Sequence, residues 1–365
     1  MSNRRNLSDA PFLQAAAGRT PSRRPVWFMR QAGRSLPEYR EIRKDVGMLD
    51  SCFNPELLAE ITMQPVRRHD VDAAILFSDI VVPVKAAGVD LDIVAGRGPV
   101  VAEPIRTASD IDKLPELDPD TLAPVAEGIA RILDELTDQQ VLIGFAGAPF
   151  TLASYLVEGG PSRNHERTKA LMHSEPELWD KLMRRITPIV TGFLRAQIDA
   201  GIDALQLFDS WAGFLTERDY RRHVLPHSQA IFEEVADAGI PRIHFGVGTG
   251  ELLGAMAEAG SEVVGVDWRV PLDAAAQRIS NTLAAADPAG DRASHARVLQ
   301  GNLDPAMFFA GDAAIESEVR RICGEADRAI ERGTARGHIF NLGHGVPPNT
   351  DADAITRTVK MVHEL

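Results

Sequence analysis

The chain has 365 residues, is 44% hydrophobic and carries a formal net charge of −13, so it can bury a large core in one big domain or two smaller ones. The acidic balance argues against nucleic acid or an anionic membrane as a partner, because both require a basic face. No apolar run reaches the roughly 18 residues that a membrane span needs, and the polar N-terminus lacks the apolar core of a signal peptide. Two isolated cysteines are too few for a disulfide framework or a thiolate metal site, and we therefore expect a soluble, cytoplasmic protein.

Short apolar runs of strand character alternate along the chain with longer stretches of helical spacing. In chain order, the predicted strands are Val26–Met29, Ala73–Phe77, Val141–Phe145, Ala204–Phe208, Arg242–Phe245, Glu262–Val266, Arg297–Gln300 and His338–Leu342. The predicted helices between them include Pro55–His69, Leu122–Leu136, Glu175–Ala200, Glu217–Ala238, Leu272–Ala285 and Ala313–Arg332.

This alternation predicts parallel βα units with the helices packed outside the sheet. Eight strands favour an α/β fold of the single-domain (β/α)8 TIM-barrel type, although an open doubly wound sheet fits the same order. The stretch Val81–Val101, interrupted by glycines and a proline, predicts a hairpin inserted after the second strand. We expect residues 1–20 to form an N-terminal arm that could be flexible, and residues 21–365 to form the barrel.

A cationic, glycine-containing run follows the first predicted strand. Arg30 and Arg34 flank Gly33, and Arg43 comes shortly afterwards. A guanidinium pairs bidentately with carboxylate or phosphate, so this run is a candidate anion-binding loop. The plain alternative for a charge run is a solvated helix with incidental salt bridges. The stretch Met29–Arg34 has no amphipathic period and places glycine between the two cations, which favours the anion-binding loop.

Single polar side chains follow several other predicted strands, at the end where a barrel carries its chemistry. They are Asp79 in an apolar frame, Tyr155 in a helix after a Gly/Ala-rich turn, Ser210, and His344 between two glycines. One polar group per strand end is how a pocket is built around a small molecule. Asp79 and Ser210 could instead be capping residues, and Tyr155 could be a core tyrosine. The glycines beside His344 imply close approach of the backbone.

A glycine-rich segment, Phe245–Gly250, follows the fifth predicted strand and precedes the helix-like Glu251–Ala259, with Asp267 ending the next strand. It resembles a nucleotide-binding loop. The glycine spacing does not match that fingerprint, however, and four strands precede the segment. We therefore interpret it as a glycine-rich barrel loop.

Five segments together resemble the uroporphyrinogen decarboxylase family. The two signatures of that family are similar to Pro25–Arg34 and Gly144–Leu152. Its remaining site segments are similar, in the same order, to Ile75–Ile80, Gln206–Gly213 and Asn341–Gly345. The resemblance runs from about Pro21 to the C-terminus. One departure is Ser35, where the family commonly carries tyrosine; this change could alter a pocket wall but touches no catalytic group.

The resemblance implies a homodimeric (β/α)8 barrel that needs neither cofactor nor metal. The implied reaction removes carbon dioxide from the four acetate side chains of uroporphyrinogen III. The product is coproporphyrinogen III, on the way to haem or chlorophyll. The substrate carries eight carboxylates on a reduced macrocycle whose four pyrrole N–H groups point inward, which agrees with a pocket that combines arginines with one central carboxylate.

The resemblance also assigns roles to individual residues. Asp79 is expected to accept the pyrrole N–H groups and to stabilise a cationic intermediate. Arg30 and Arg34 are expected to bind substrate carboxylates, with Arg30 a candidate in proton delivery, although arginine scarcely deprotonates. The further substrate-binding residues that it predicts are Gln31, Ala32, Gly33, Arg43, Tyr155, Ser210 and His344. Tyr155 and His344 are also expected to be catalytic, His344 as a possible acid near neutral pH.

Two other classes of protein remain open at this stage. Corrinoid-linked methyltransferases resemble the same barrel, but they need a thiolate zinc site, and neither Cys52 nor Cys323 lies near the fifth strand segment His244–Gly246. A non-catalytic porphyrinogen-binding protein would bind substrate and product equally and would release no carbon dioxide.

Overall fold

The computed structural model describes residue 5 and residues 7–365. Seven parallel strands form one curled sheet in the order β1-β4-β5-β6-β7-β8-β9, and two antiparallel strands form a separate hairpin. The strands are β1 (Ala73–Ile75), β2 (Leu91–Val94), β3 (Gly98–Val101), β4 (Val141–Gly147), β5 (Ala204–Asp209), β6 (Arg242–Gly246), β7 (Val263–Gly265), β8 (Arg297–Leu303) and β9 (Ala335–Leu342).

An extended segment around Val26 closes the curled sheet into a barrel. On one side, the Phe340 N–H donates to the Pro25 carbonyl at 2.8 Å and the Trp27 N–H donates to the Phe340 carbonyl at 3.3 Å. On the other side, the Asp72 N–H donates to the Val26 carbonyl at 2.9 Å, directly before β1. The segment therefore occupies the eighth strand position between β9 and β1, and the predicted (β/α)8 fold is confirmed.

Helices connect consecutive strands and cover the outside of the barrel. Their bounds are Pro11–Ala16, Pro37–Ile42, Met48–Cys52, Pro55–His69, Val82–Ala86, Ala108–Asp112, Ala123–Glu135, Pro149–Glu158, Glu166–Ser174, Pro176–Ala200, Glu217–His223, Leu225–Glu234, Leu253–Glu258, Leu272–Ala286, Asp312–Glu331 and Ala352–His363. Short 3-10 helices span Pro119–Leu122, Ala212–Phe214, Ala236–Ala238 and Pro305–Phe309. No helix in the described part of the chain is long and apolar enough to cross a membrane.

Local sequence explains where the longer helices begin and end. The helix Pro55–His69 starts after Asn54, whose side chain accepts hydrogen bonds from two N–H groups of the first turn, and proline occupies the first helical position. The helix Pro176–Ala200 ends at Gly201, which adopts a left-handed φ of 109° that glycine reaches without steric penalty.

The barrel interior is packed, and it contains a line of polar side chains. All seven residues of β4 are buried, as expected for a parallel strand covered on both faces. The Trp27 Nε1–H donates to Gln300 Oε1 at 3.1 Å, and Gln300 Nε2 donates to Gln206 Oε1 at 2.8 Å. Because β5 and β8 are not neighbours in the sheet, the Gln206–Gln300 bond crosses the barrel interior.

The element bounds depart from the predictions in three places. The first predicted strand, Val26–Met29, is reduced to the bridging segment at Val26. The predicted hairpin Val81–Val101 begins instead with the helix Val82–Ala86, so the hairpin itself is confined to β2 and β3. The predicted helix Glu217–Ala238 is broken at Val224, because Pro226 has no N–H to donate to the carbonyl of Arg222 four residues earlier and its ring crowds that carbonyl.

Residues 7–20 of the predicted N-terminal arm contain the helix Pro11–Ala16, which lies against β9 and buries Phe12 and Ala15 completely. Residues 1–4 and 6 of that arm lie outside the described residues. The division of the chain into residues 1–20 and residues 21–365 therefore stays a prediction.

Candidate active site

The carboxyl ends of the strands surround a cavity of about 450 Å³, a volume suited to a small organic ligand. The predicted site residues that line it are Arg30, Ala32, Gly33, Arg34, Asp79, Tyr155, Ser210 and His344. They follow several different strands, as the barrel fold requires: Tyr155 lies in the helix Pro149–Glu158, and the others lie in loops. Gln31 and Arg43 do not line this cavity.

The backbone holds Arg30 in an unusual conformation. Its φ is 60°, the left-handed region, which costs a non-glycine residue roughly 1–2 kcal/mol. Two glycines leave room for it: a Cβ on Gly33 would lie 2.9 Å from the Arg30 carbonyl oxygen, and one on Gly345 would lie 2.4 Å from Arg30 Cδ. The glycine between the two cations, and the glycine after His344, therefore both serve the placement of Arg30.

Hydrogen bonds tie the loop that carries Arg30 to the loop after β9. The Met29 N–H donates to Asn341 Oδ1 at 3.0 Å, and the Val346 N–H donates to the Met29 carbonyl at 2.8 Å. Gln31 braces the same loop from inside: its Oε1 accepts from the Phe28 N–H and its Nε2 donates to the Ala73 carbonyl, both at 2.9 Å. The fully buried Gln31 side chain thus braces this loop and does not line the cavity, and its contact with substrate stays a prediction.

Asp79 lies at the end of β1 and lines the cavity. Its Oδ1 accepts a hydrogen bond from the Val81 N–H at 3.1 Å. Asp79 therefore caps the backbone that follows it, as the alternative interpretation expects, and it also lines the cavity. Desolvation raises the pKa of Asp79 above its ordinary value, while the Val81 N–H and the positive charge of Arg30 act in the opposite direction. The carboxylate thus keeps a backbone partner and also lines the cavity, where it can accept hydrogen bonds from a ligand that bears N–H donors.

Tyr155 and Ser210 offer hydroxyl groups to the cavity from the β4 and β5 ends. The Tyr155 ring packs at an angle of 62° against Trp211, with the ring centroids 6.0 Å apart. Burial raises the pKa of Tyr155 to about 12, and the neighbouring Asp79 acts in the same direction. The phenol therefore stays protonated at neutral pH and can donate a hydrogen bond to a ligand oxygen.

His344 lies at the cavity next to Arg30. Desolvation, followed by the charges of Arg30 and Arg269, lowers the pKa of His344, so its ring is neutral near pH 7. The Gly345 N–H donates to His344 Nδ1 at 2.6 Å, which assigns the ring proton to Nε2. His344 is thus arranged as a neutral hydrogen-bond donor, and its role as an acid near neutral pH stays a prediction.

The floor of the cavity is aromatic, a feature that the sequence interpretation missed. Phe145 packs edge-on to Phe208 with ring centroids 5.2 Å apart, and Phe208 packs edge-on to Phe245 at 5.8 Å. Phe77 also lines the cavity. A repeated signal was present in the sequence, because a phenylalanine lies within two residues of the carboxyl end of each of β1, β4, β5 and β6.

Two predicted features lie beside the cavity. Arg43 donates to the Val46 carbonyl and, at 3.2 Å, to Ser51 Oγ, so its guanidinium holds the chain after the first loop. In the glycine-rich segment, the Gly248 N–H donates to Asp267 Oδ2. Asp267 thereby pins the loop after β6 to the end of β7, which agrees with a barrel loop.

The protein is a (β/α)8 barrel, and its strand ends surround a cavity with an aromatic floor. The cavity wall carries arginines and one desolvated carboxylate. This combination is typical of an enzyme that acts on a small anionic molecule. Residues 7–365 match the family model described as "Uroporphyrinogen decarboxylase (URO-D)". The chain belongs to the uroporphyrinogen decarboxylase family, and the resemblance based on its motifs is confirmed.

Curated relatives with this name match over nearly the full length. The uroporphyrinogen decarboxylase of Corynebacterium efficiens is 67% identical over 360 residues, which cover 99% of this chain and 97% of the relative. That of Corynebacterium diphtheriae is 68% identical and covers 97% of this chain and 98% of its own. That of Nocardia farcinica is 64% identical, with coverage of 99% and 98%.

Solved structures with low sequence identity share the fold. A methyltransferase from Methanosarcina mazei superposes with a TM-score of 0.74 at 16% identity, covering 97% of both chains. A B12-independent methionine synthase from Shewanella sp. W3-18-1 superposes with a TM-score of 0.53 at 10% identity, covering 85% of this chain and 87% of its own. At these identities the likeness shows the fold alone.

The methyltransferase alternative is not supported. Cys52 and Cys323 are both buried, and burial raises the pKa of each thiol, that of Cys323 to about 11. Neither cysteine is therefore a ready thiolate ligand. The two lie in separate segments, one ending the helix Met48–Cys52 and the other within the helix Asp312–Glu331.

Proposed function

We propose that this protein is a uroporphyrinogen decarboxylase that converts the four acetate side chains of uroporphyrinogen III to methyl groups, giving coproporphyrinogen III without a cofactor. The observation that carries the proposal is the position of Asp79, a desolvated carboxylate lining the same aromatic-floored cavity as Arg30 and Arg34. This arrangement complements a macrocycle with inward N–H donors and outward carboxylates.

The substrate would be held at its centre and at its edge by different groups. Asp79, whose carboxylate lines the cavity, would accept hydrogen bonds from the pyrrole N–H groups. Arg30 and Arg34 would pair with side-chain carboxylates through their guanidinium forks. Tyr155, Ser210 and His344 would add hydrogen bonds from protonated donors, so charge and donors together match a polycarboxylate.

Each decarboxylation needs an electron sink, because the acetate on a neutral pyrrole has nowhere to place the electrons of the breaking bond. Protonation of the adjacent pyrrole α-carbon creates an iminium-like ring. The bond to the carboxylate then breaks, carbon dioxide leaves, and the electron pair neutralises the ring as an exocyclic methylene forms. Protonation of that methylene gives the methyl group, and loss of the proton that was added to the α-carbon restores the neutral pyrrole. Asp79, as a carboxylate in an apolar cavity, would stabilise the cationic ring.

Arg30 lies close enough to the Asp79 carboxylate for its charge to lower the pKa of that group, which supports a place near the reacting ring. A protonated guanidinium is a poor acid. We therefore propose Arg30 first as a carboxylate anchor, with proton delivery as its second role. For the whole protein we propose a cytoplasmic homodimer, an expectation that rests on the family.

Anaerobic incubation of the purified protein with uroporphyrinogen III tests the proposal directly. Chromatography of the oxidised products should show conversion to coproporphyrin, accompanied by the release of four equivalents of carbon dioxide. A boiled sample serves as the control for spontaneous loss. Binding of the substrate without release of carbon dioxide would instead indicate the non-catalytic porphyrinogen-binding protein.

A further inference from the structure

Away from the cavity, three side chains converge between two neighbouring helices. His173 comes from the helix Glu166–Ser174, while Asp219 and His223 come from the helix Glu217–His223. Each offers one ligand atom, and these atoms all lie within 4.8 Å of one another. In the part of the chain that the structure describes, this is the only such group of three or more histidine, cysteine or carboxylate side chains.

The spacing of the group fits a metal ion better than a direct hydrogen bond. Asp219 and His223 are four residues apart and therefore share one helix face. His173 Nε2 lies 3.7 Å from Asp219 Oδ2, too far for a hydrogen bond. Ligand atoms at about 2.0–2.1 Å from a tetrahedral zinc ion are themselves separated by about 3.3 Å, so a small side-chain adjustment would close the site.

The ligand atoms have few competing partners. The Asp219 side chain is only 12% exposed, and its recorded ion pairs, to His173 and Arg218, are 3.7 and 3.8 Å long. Among the described residues, no hydrogen bond reaches the Asp219 carboxylate or the His223 ring. Arg218 and Arg222 are the cations that oppose an added charge here.

We propose that His173, Asp219 and His223 form a site for a divalent transition metal, with Zn²⁺ as the best match and water in the fourth position. Two imidazoles and one carboxylate are preferred by zinc over magnesium or calcium, which take oxygen ligands. The site contains no thiolate and is therefore distinct from the zinc site of the methyltransferase alternative.

A metal ion at this site would join two helices that lie behind the cavity wall. The helix Glu166–Ser174 begins after His165, whose ring lies 4.7 Å from that of Phe214 and 5.1 Å from that of Trp211. The helix Glu217–His223 follows Phe214 closely along the chain, and Trp211 lines the cavity. A bound ion would therefore hold together the ends of the two helices that support this wall.

Calorimetric titration of the untagged, chelator-stripped protein with zinc chloride tests the proposal. We expect one ion to bind per chain and to raise the Tm, since zinc would bind the folded state alone. Because His173 is half exposed, His173→Ala should fold normally. It should weaken binding at least about tenfold and abolish the rise in Tm. Cobalt bound in place of zinc should give visible ligand-field absorption without a thiolate charge-transfer band.

The control variant is His227→Ala, which removes a histidine that lies 3.6 Å from Asp180 without belonging to the group of three. It should bind zinc as the wild type does. Absence of zinc binding in the wild type, or equal affinity in the wild type and His173→Ala, would overturn the proposal. Neither outcome bears on decarboxylation, because none of these residues lines the cavity.

Discussion

At the scale of single residues, the protonation state of Asp79 that favours stability differs from the state that the proposed chemistry needs. Its carboxylate lies in a desolvated position that raises its pKa, so the empty protein is more stable when the group is protonated. The proposed chemistry needs the ionised form, which the pyrrole N–H donors and the cationic ring would stabilise. The negative charge of Asp79 therefore lowers the stability of the empty protein, and bound substrate would offset this cost.

Asp79→Asn separates these two effects. The amide can still accept the Val81 N–H, but it carries no charge, so we expect turnover of uroporphyrinogen to fall by a factor of about 10²–10³. The stability of the folded protein should increase in the variant. The raised folded-state pKa means that ionisation of Asp79 lowers stability as the pH rises above the ordinary carboxyl pKa. The variant should therefore have the higher Tm at pH 7.

The pH dependence is the internal control for this experiment. Below the ordinary pKa of an aspartate the wild-type carboxyl is protonated in both folded and unfolded chains, so the difference in Tm should disappear there. Near-normal turnover by the variant would remove Asp79 from the mechanism. A lower Tm at pH 7 would show that the carboxylate stabilises the empty protein.

The residue scale also shows what local sequence could and could not reveal. Asp79, Tyr155, Ser210 and His344 were identifiable because each is a polar group near a strand end, and the backbone geometry of the barrel brings such ends together. The buried position of the Gln31 side chain could not be predicted, because it depends on a hydrogen bond to the Ala73 carbonyl, in a strand 42 residues away. Arg43 likewise finds local partners that charge and spacing do not specify.

At the scale of elements, the loops after the first strand position and after β9 behave as one unit. One backbone hydrogen bond joins Met29 to Val346, and the Arg30 side chain runs against the backbone of Gly345. The sequence indicated a close backbone approach near His344. The partner in that approach is the stem of Arg30, which no pattern within either loop could identify.

Gly345→Ala tests this unit. A Cβ at this position would lie 2.4 Å from Arg30 Cδ and 2.7 Å from Arg30 Cγ, so the guanidinium must move. We expect kcat/KM for uroporphyrinogen to fall between about 10- and 100-fold, as displaced binding groups typically cause. The Tm should fall modestly, because a Cβ at this position would also lie 3.1 Å from Arg30 Cβ, an atom whose position follows the backbone.

A double-mutant cycle with Arg30→Ala identifies the route of the effect. If Gly345→Ala acts by displacing Arg30, the double variant should be no slower than Arg30→Ala alone. Multiplicative losses in the double variant would instead mean that the added methyl group acts independently of Arg30.

The elements themselves were largely predictable, since seven predicted strands and most of the predicted helices overlap those observed within a few residues. The errors have local causes. The helical spacing of apolar residues continues from Glu217 to Ala238, so the sequence predicted one helix and missed the break before Pro226. The apolar stretch after β1 was assigned wholly to a hairpin, although its first part forms the helix Val82–Ala86.

At the scale of the whole molecule, Asp72 lies where the barrel closes. The fully buried carboxylate accepts from the Val26 N–H at 2.8 Å and from Arg23 Nε at 2.9 Å, and it contacts His363 Nε2 at 2.8 Å. These three groups belong to the closing segment and to the last helix. One side chain thus joins both ends of the described chain to the start of β1.

Asp72→Ala should therefore destabilise the whole barrel. It leaves a buried N–H and a guanidinium without their acceptor, and loss of one partner in such a buried pair typically costs about 3–5 kcal/mol. Chemical denaturation followed by circular dichroism measures the change in the free energy of unfolding. Asp70→Asn is the matched control, because the Asp70 side chain is 76% exposed and lies 3.7 Å from the same Arg23. Equal stability of the two variants would contradict this role of Asp72.

The acidity of the whole chain has a kinetic consequence for a cavity with arginines in its wall. A molecule of net charge −13 repels a polycarboxylate at long range and attracts it only within reach of Arg30 and Arg34. Because the Debye length is about 8 Å at physiological ionic strength, dissolved salt screens the distant repulsion more than the close contacts. Moderate salt should thus speed the encounter of ligand and protein, the reverse of electrostatic steering. The attraction by the two arginines acts only at short range, whereas the repulsion by the net charge reaches further. A small anion that cannot contact both arginines would therefore bind more weakly than a polycarboxylate.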